Sequence, residues 1–171
     1  MIDFTKLDYL KAGNIKQKRA YEILTKYRIF EKLTYYSPIL AGTIPIEIDI
    51  EGSDLDIICN VKNENEFLEV LNQILPQNID FTIVTNIINN ENCIILNCIL
   101  EDFPIEIFGQ NKPTTEQNAY RHMVVEHNIL DEKGEEFKQK IIELKKQGIK
   151  TEPAFGLLLN LENPYEDLLK F

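Results

Sequence analysis

The sequence predicts an α+β fold, a mixed β-sheet flanked by helices and followed by a helical C-terminal portion. Three observations predict it. Short, β-branched apolar runs of strand length, "IDFTIVTNI", "CIILNCIL" and "PIEIFG", all lie in the part of the chain that ends at Gly109. Before and between such runs, apolar residues return at helical spacing. After Gly109 the strand-like runs cease, and residues that start and stop helices take over.

In chain order, Tyr21, Ile23, Leu24, Tyr27 and Phe30 predict one amphipathic helix from Asn14 to Leu33. "SPILAGT" predicts a short strand running into a glycine turn, and Asp54 to Val61 a second strand. "ENEFLEVLNQIL" follows as a helix with Phe67, Leu68, Leu71, Ile74 and Leu75 on one face. The three β-branched runs then complete the sheet. "KPTTEQNAYRHMVVEHNIL" opens a helix with Pro and Thr, and "GEEFKQKIIELKKQG" is a second, closed by Gly148. "KTEPAFGLLLNL" begins a third, with Thr151 as its cap and Pro153 in the first turn. Residues 14–109 are thus expected to form the sheet core, and 110–171 a helical portion packed on it as a single compact unit.

Composition narrows the function. With 171 residues, 44% apolar and 27% charged, the chain can bury a core and is not expected to be disordered. It has no apolar run of membrane-spanning length, and "MIDFTKLDYLKAG" lacks the order of a signal peptide, so a cytoplasmic protein without a membrane partner is expected. Cys59, Cys93 and Cys98 sit in strand-like runs and are expected to be buried thiols. The net charge of −10 argues against nucleic acid as a partner, since that affinity rests on clustered Lys and Arg. The densest basic run, "ELKKQGIK", reads as a solvated helix face and last turn.

The chemistry centres on "EGSDLDIICN". Asp54 and Asp56 stand two apart, so an extended chain sends both carboxylates from one face, where they repel. A solvent-facing strand edge is the ordinary explanation. Two features favour another: the Gly42-Thr43 turn upstream, and Glu106, a lone acid between Ile105 and Ile107. Three carboxylates from two strands are the oxygen ligands that a pair of Mg²⁺ ions takes, and the ions would cancel the repulsion.

"LAGTIPIEIDIEGSDLDIIC" resembles the signature of the nucleotidyltransferase superfamily, in which an apolar residue and a Gly-Ser or Gly-Gly turn precede an acid–apolar–acid strand. Leu40, Gly42, Thr43, Ser53, Asp54, Leu55 and Asp56 stand where that pattern places them, and Glu106 fits its third metal ligand. Thr43 replaces the usual Ser or Gly, keeping a hydroxyl while its methyl narrows the approach. With "PIEIFGQ", "QNAYRHMVVE" and "KTEPAF", the chain from about Gly42 to Leu169 looks like an uncharacterised bacterial family within that superfamily, known only as a domain of unknown function.

The resemblance implies transfer of a nucleoside monophosphate from a nucleoside triphosphate to a hydroxyl of a small molecule or protein, with pyrophosphate leaving. It implies Mg²⁺, or Mn²⁺ in its place, held by Asp54, Asp56 and Glu106, with Glu106 as the base or its metal anchor. Gly42, Thr43 and Ser53 would hold phosphates. On a helix, Gln117 aligns with Arg121 and Asn118 with His122. Arg121 would then grip the triphosphate, while Gln117, Asn118 and His122 would meet the acceptor or a phosphate. The ordinary alternative is a polar face on which His122 pairs with Glu126. His122 and His127, five apart, do not suit a zinc pair. Lys150 and Thr151 offer either a phosphate-binding helix start or a structural cap. Tyr35-Tyr36 stack a base or pack on the fold, and Asp80, Glu101 and Asp102 read as solvated.

Two other functions compete with transfer. A catalytically silent nucleotide-binding or regulatory module, antitoxin-like, would keep the fold without turnover. A metal-dependent phosphohydrolase would want His-rich ligands that the chain lacks.

Overall fold

The computed structural model describes residues 2–88 and 90–171. Its strands are β1 (Ile39–Ala41), β2 (Leu55–Asn60), β3 (Phe81–Ile88), β4 (Glu91–Leu100) and β5 (Phe103–Gln110). They form one sheet in the order β1-β2-β5-β4-β3. Of its four pairings, β2 with β5 is parallel and the other three are antiparallel. The parallel pair is adjacent because the chain leaves β2 through a helix and returns through the β3–β4 hairpin, which places β5 beside β2.

The pleat divides β1, β2 and β5 between two cores. Leu55, Ile57 and Cys59 of β2, with Ile105 and Ile107 of β5, face the N-terminal helices. Ile58, with Ile39 and Ala41 of β1, faces the C-terminal helices. The apolar run in β2 is therefore shared between both faces. Along β5, buried positions alternate with half-buried ones, so one side of the sheet is sealed and the other borders a hollow.

The N-terminal layer comprises α1 (Asp8–Ala12), α2 (Ile15–Lys26), α3 (Ile29–Lys32) and α4 (Glu64–Ile74). The single helix expected from Asn14 to Leu33 is broken. α2 starts at Asn14, whose side chain accepts from the Gln17 amide in a capping box, and it ends where Arg28 takes a left-handed φ of 56°. The break turns α3 so that Ile29 and Leu33 stay buried against the sheet. α4 seats Phe67 so close to β5 that a Cβ on Gly109 would stand 2.5 Å from the ring.

The C-terminal layer comprises α5 (Asn118–Lys133), α6 (Glu135–Lys146), α7 (Thr151–Leu159) and α8 (Pro164–Asp167). A 3-10 turn at Thr114–Glu116 precedes α5. Thr151 is the first residue of α7, not its cap: the N-cap is Lys150, and no side chain caps the helix start. Glu101 is not simply solvated, because Arg19 and Lys26 of α2 both pair with it and tie the β4–β5 turn to that helix. Nor is "ELKKQGIK" all surface: Lys145 is buried and donates to the Ile48 carbonyl at 2.7 Å. The three cysteines are free and buried. No described helix is long and apolar enough to cross a membrane.

Candidate functional site

A cavity of about 640 Å³ lies between the open face of the sheet and the C-terminal helices. Its sheet wall carries Asp56, Ile58, Glu106, Phe108 and Gln110. Asp56 and Glu106 are direct partners across the parallel β2–β5 pair, so their carboxylates leave the same face side by side. The row continues through Ala41 of β1, the partner of Asp56, and Asn97 of β4, the partner of Glu106. Ala41 has no bulk to cover the acids.

Gly42 bounds the acids from above. Its φ of +81° belongs to the left-handed region, and a Cβ there would lie 2.2 Å from Asp56 Oδ2. Only glycine lets the turn pass this close to the carboxylate. Thr43 and Gly42 both line the cavity. The segment beyond is fixed from several sides: the Ile48 amide donates to the Thr43 carbonyl, and Gln17 Nε2 donates to the Ile44 and Pro45 carbonyls.

The charges feel one another. Burial, then Asp54 and Glu106, push the Asp56 carboxyl up to about 7. Burial and Asp54 also raise Glu106. Asp54 is exposed and stands at the rim, lining the shallower hollow that runs from Thr43 to Lys145. Among the described residues, no three His, Cys, Asp or Glu side chains are grouped tightly enough to hold an ion as they stand.

The helical wall is built from α5 and the start of α7. Gln117, Asn118, His122 and Lys150 all line the cavity, with Thr151 beside them. Gln117 is held in place by its amide, which donates to the Cys59 and Lys112 carbonyls at 3.0 and 2.9 Å. His122 bonds through Nε2 to the Tyr165 carbonyl at 2.9 Å, and its Nδ1 stands 3.4 Å from Glu152 Oε1. Burial works against a charged His122, but the Glu152 and Tyr165 contacts outweigh it and raise its pKa. The partner of His122 is therefore Glu152 on α7, and not Glu126 one turn along its own helix.

The remaining expected residues lie elsewhere. Arg121 is exposed and outside the cavity lining. Ser53 Oγ accepts from the Ile50 amide at 2.9 Å and so locks the turn before β2. Tyr36 is buried with its ring 4.7 Å from that of Phe67, and Tyr35 is 85% exposed; neither lines the cavity. His127 packs edge-on to Phe4, away from His122.

Sequence reasoning missed Glu126 and Glu152 as members of the site, and Lys145 behind them. Burial, then Glu152, raise Glu126 to about 8 against the pull of His122 and Lys145. Burial lowers Lys145 to about 8. The one signal in the sequence was the i,i+4 pair His122 and Glu126; the meeting of α5 with α6 and α7 is a tertiary fact.

Solved structures share this architecture. A Cid1 poly(U) polymerase structure with MgATP matches at a TM-score of 0.59, with 14% identity, over 84% of this chain and 48% of that one. The polymerase core of TRAMP, an RNA surveillance complex, matches at 0.55 with 10% identity, over 92% and 49%. The GLD-2/RNP-8 complex matches at 0.53 with 14% identity, over 89% and 60%. At these identities the likeness is one of fold, which is nucleotidyltransferase-like, and the chain spans about half the length of such neighbours. No curated protein matches the sequence. A family profile matches residues 22–171, nearly the whole chain, and on that ground the chain belongs to the family described as Domain of unknown function (DUF4269).

Proposed function

We propose that the protein is a metal-dependent nucleotidyltransferase, moving a nucleoside monophosphate from a nucleoside triphosphate to a hydroxyl of a small molecule or a protein. The observation that carries this reading is the in-register pair Asp56 and Glu106 beneath the Gly42-Thr43 turn, with Asp54 close enough to raise both.

The donor set suits a divalent ion. All three groups are hard carboxylate oxygens, and their mutual repulsion is a cost that a cation relieves. Asp54, Asp56 and Glu106 would hold Mg²⁺ or Mn²⁺, Asp54 turning in from the rim. The metal would neutralise the triphosphate and acidify the acceptor hydroxyl. The backbone amides of Gly42 and Thr43 and the Thr43 hydroxyl would hold phosphate oxygens. The uncapped start of α7 faces the cavity beside Lys150, so its free amides and that ammonium would serve the same anion. Glu106 would receive the acceptor proton or anchor the metal that acidifies that hydroxyl. The structural neighbours include enzymes named for RNA tailing, but the net charge of −10 favours a small or protein acceptor here.

The open spacing of the acids supports a second reading, a nucleotide-binding module without turnover. One experiment separates them. Each nucleoside triphosphate is added with Mg²⁺ and again in excess chelator, and the thermal midpoint is followed. The transferase reading predicts metal-dependent stabilisation together with pyrophosphate release when acceptor is supplied. Stabilisation without any pyrophosphate favours the silent module, and equal stabilisation in chelator removes the acids from nucleotide binding.

A further inference from the structure

Beyond the acid pair, the cavity runs on to a wall that nucleotide transfer as described does not use. Glu126 of α5 lines this wall, is only 4% exposed, and its Oε1 has no hydrogen-bond partner. Glu152 of α7 lines it too, and His122 stands between the two helices with both ring nitrogens engaged. A buried acceptor oxygen left without a donor costs about 1–3 kcal/mol, so this end of the cavity is short of donors. At the N-cap of α5, Gln117 is 1% exposed and its Oε1 is likewise unpartnered. The cavity's lysines, Lys112 and Lys150, do not supply the missing donor, since Glu126 Oε1 has no hydrogen-bond partner among the described residues; Lys150 is exposed and acts on Glu152 only through its charge.

We propose that Glu126 and Glu152 form the acceptor subsite and that it takes a protonated amine, so the substrate carries an ammonium group beside the hydroxyl that receives the nucleotide. This rests on the transferase reading above. An ammonium brings three N–H donors and a positive charge to a wall where Glu126 Oε1 has no donor. A neutral hydroxyl compound would supply one donor and no charge to offset the two acids. A polyanion such as RNA would meet Glu91, Glu106 and Glu152 in the same cavity and be repelled. The charged groups facing Glu126 are His122 on its own helix, Lys145 from α6 and Glu152 from α7. Burial, then Glu152, raise the Glu126 carboxyl to about 8 against the two cations, and an arriving ammonium favours its ionised form.

The test uses the full chain in chelator, without nucleotide, so that it does not depend on the metal. Ethanolamine, 3-amino-1-propanol and glucosamine are titrated calorimetrically, each beside its N-acetylated form. At least one amine is expected to bind roughly tenfold or more tightly than its acetylated counterpart, and Glu126→Gln, close in size and uncharged, is expected to abolish that preference. The proposal is overturned if no amine is preferred in the unaltered protein, or if the preference survives Glu126→Gln. Stabilisation by MgATP is measured on the same samples. If it persists while every amine fails, the amine subsite alone is wrong. If amines bind while MgATP does not stabilise, the transferase reading falls and the acceptor role with it.

Discussion

Replacing Asp56 by Asn keeps its size and removes its charge, and the structure predicts that the metal-free protein becomes more stable while transfer is lost. The carboxyl is raised from 3.8 to about 7 by burial and by its acidic neighbours. Because the folded value lies above the unfolded one, the folded state is favoured below about pH 4 and loses that advantage as pH rises through 7. At about 1.4 kcal/mol per pH unit the loss reaches about 4 kcal/mol, as a ceiling, above pH 7. Relaxation around Asp56 reduces the gain of the variant to about 1–3 kcal/mol, or roughly 3–10 °C in midpoint for a chain of this size. Urea unfolding at pH 5 and pH 8, in chelator, reads it directly. The variant should exceed the parent at pH 8, and the gap should shrink at pH 5. A variant less stable than the parent at pH 8, or an equal gap at both values, refutes the reasoning and makes Asp56 a structural group.

The other expectations follow from single contacts. Gly42→Ala places a methyl 2.2 Å from Asp56 Oδ2 at a φ of +81°, so it should cost about 1–3 kcal/mol and abolish stabilisation by MgATP, measured by thermal unfolding. Glu152→Gln removes the charge beside His122, so the imidazole should titrate at lower pH in NMR spectra; an unchanged midpoint would place the proton's hold on Tyr165 alone. With His122 raised, its contribution to stability is present below about pH 6.5 and is lost as pH rises through its folded value, and Glu152→Gln should narrow that window.

The sheet and the acid pair were legible because both rest on short-range pattern. The i,i+2 spacing of Asp54 and Asp56, and the isolation of Glu106 between isoleucines, fix which face each side chain takes once the strands form. Their pairing as direct neighbours depends on register, which no local pattern states. The break at Arg28 was hidden because the apolar spacing continues across it; the geometry of packing Ile29 and Leu33, not propensity, decides there. Lys145 looked like one more lysine in a basic run. Its burial depends on how α6 crosses the loop that carries Ile48, a contact ninety-seven residues away in sequence. Glu126 and Glu152 meet His122 for the same reason, through the docking of α5 on α7.

The central claim is that this cavity transfers a nucleotidyl group, and the position of a radiolabel tests it most directly. The protein is incubated with Mg²⁺ and a cell lysate as acceptor pool, in parallel with nucleoside triphosphates labelled at the α- or the γ-phosphate, and lysate alone is subtracted. Nucleotidyl transfer predicts that α-label enters a metabolite or protein, that γ-label appears only in pyrophosphate, and that Asp56→Asn abolishes both. Transfer of γ-label to an acceptor, or α-label incorporation that survives Asp56→Asn, would contradict it.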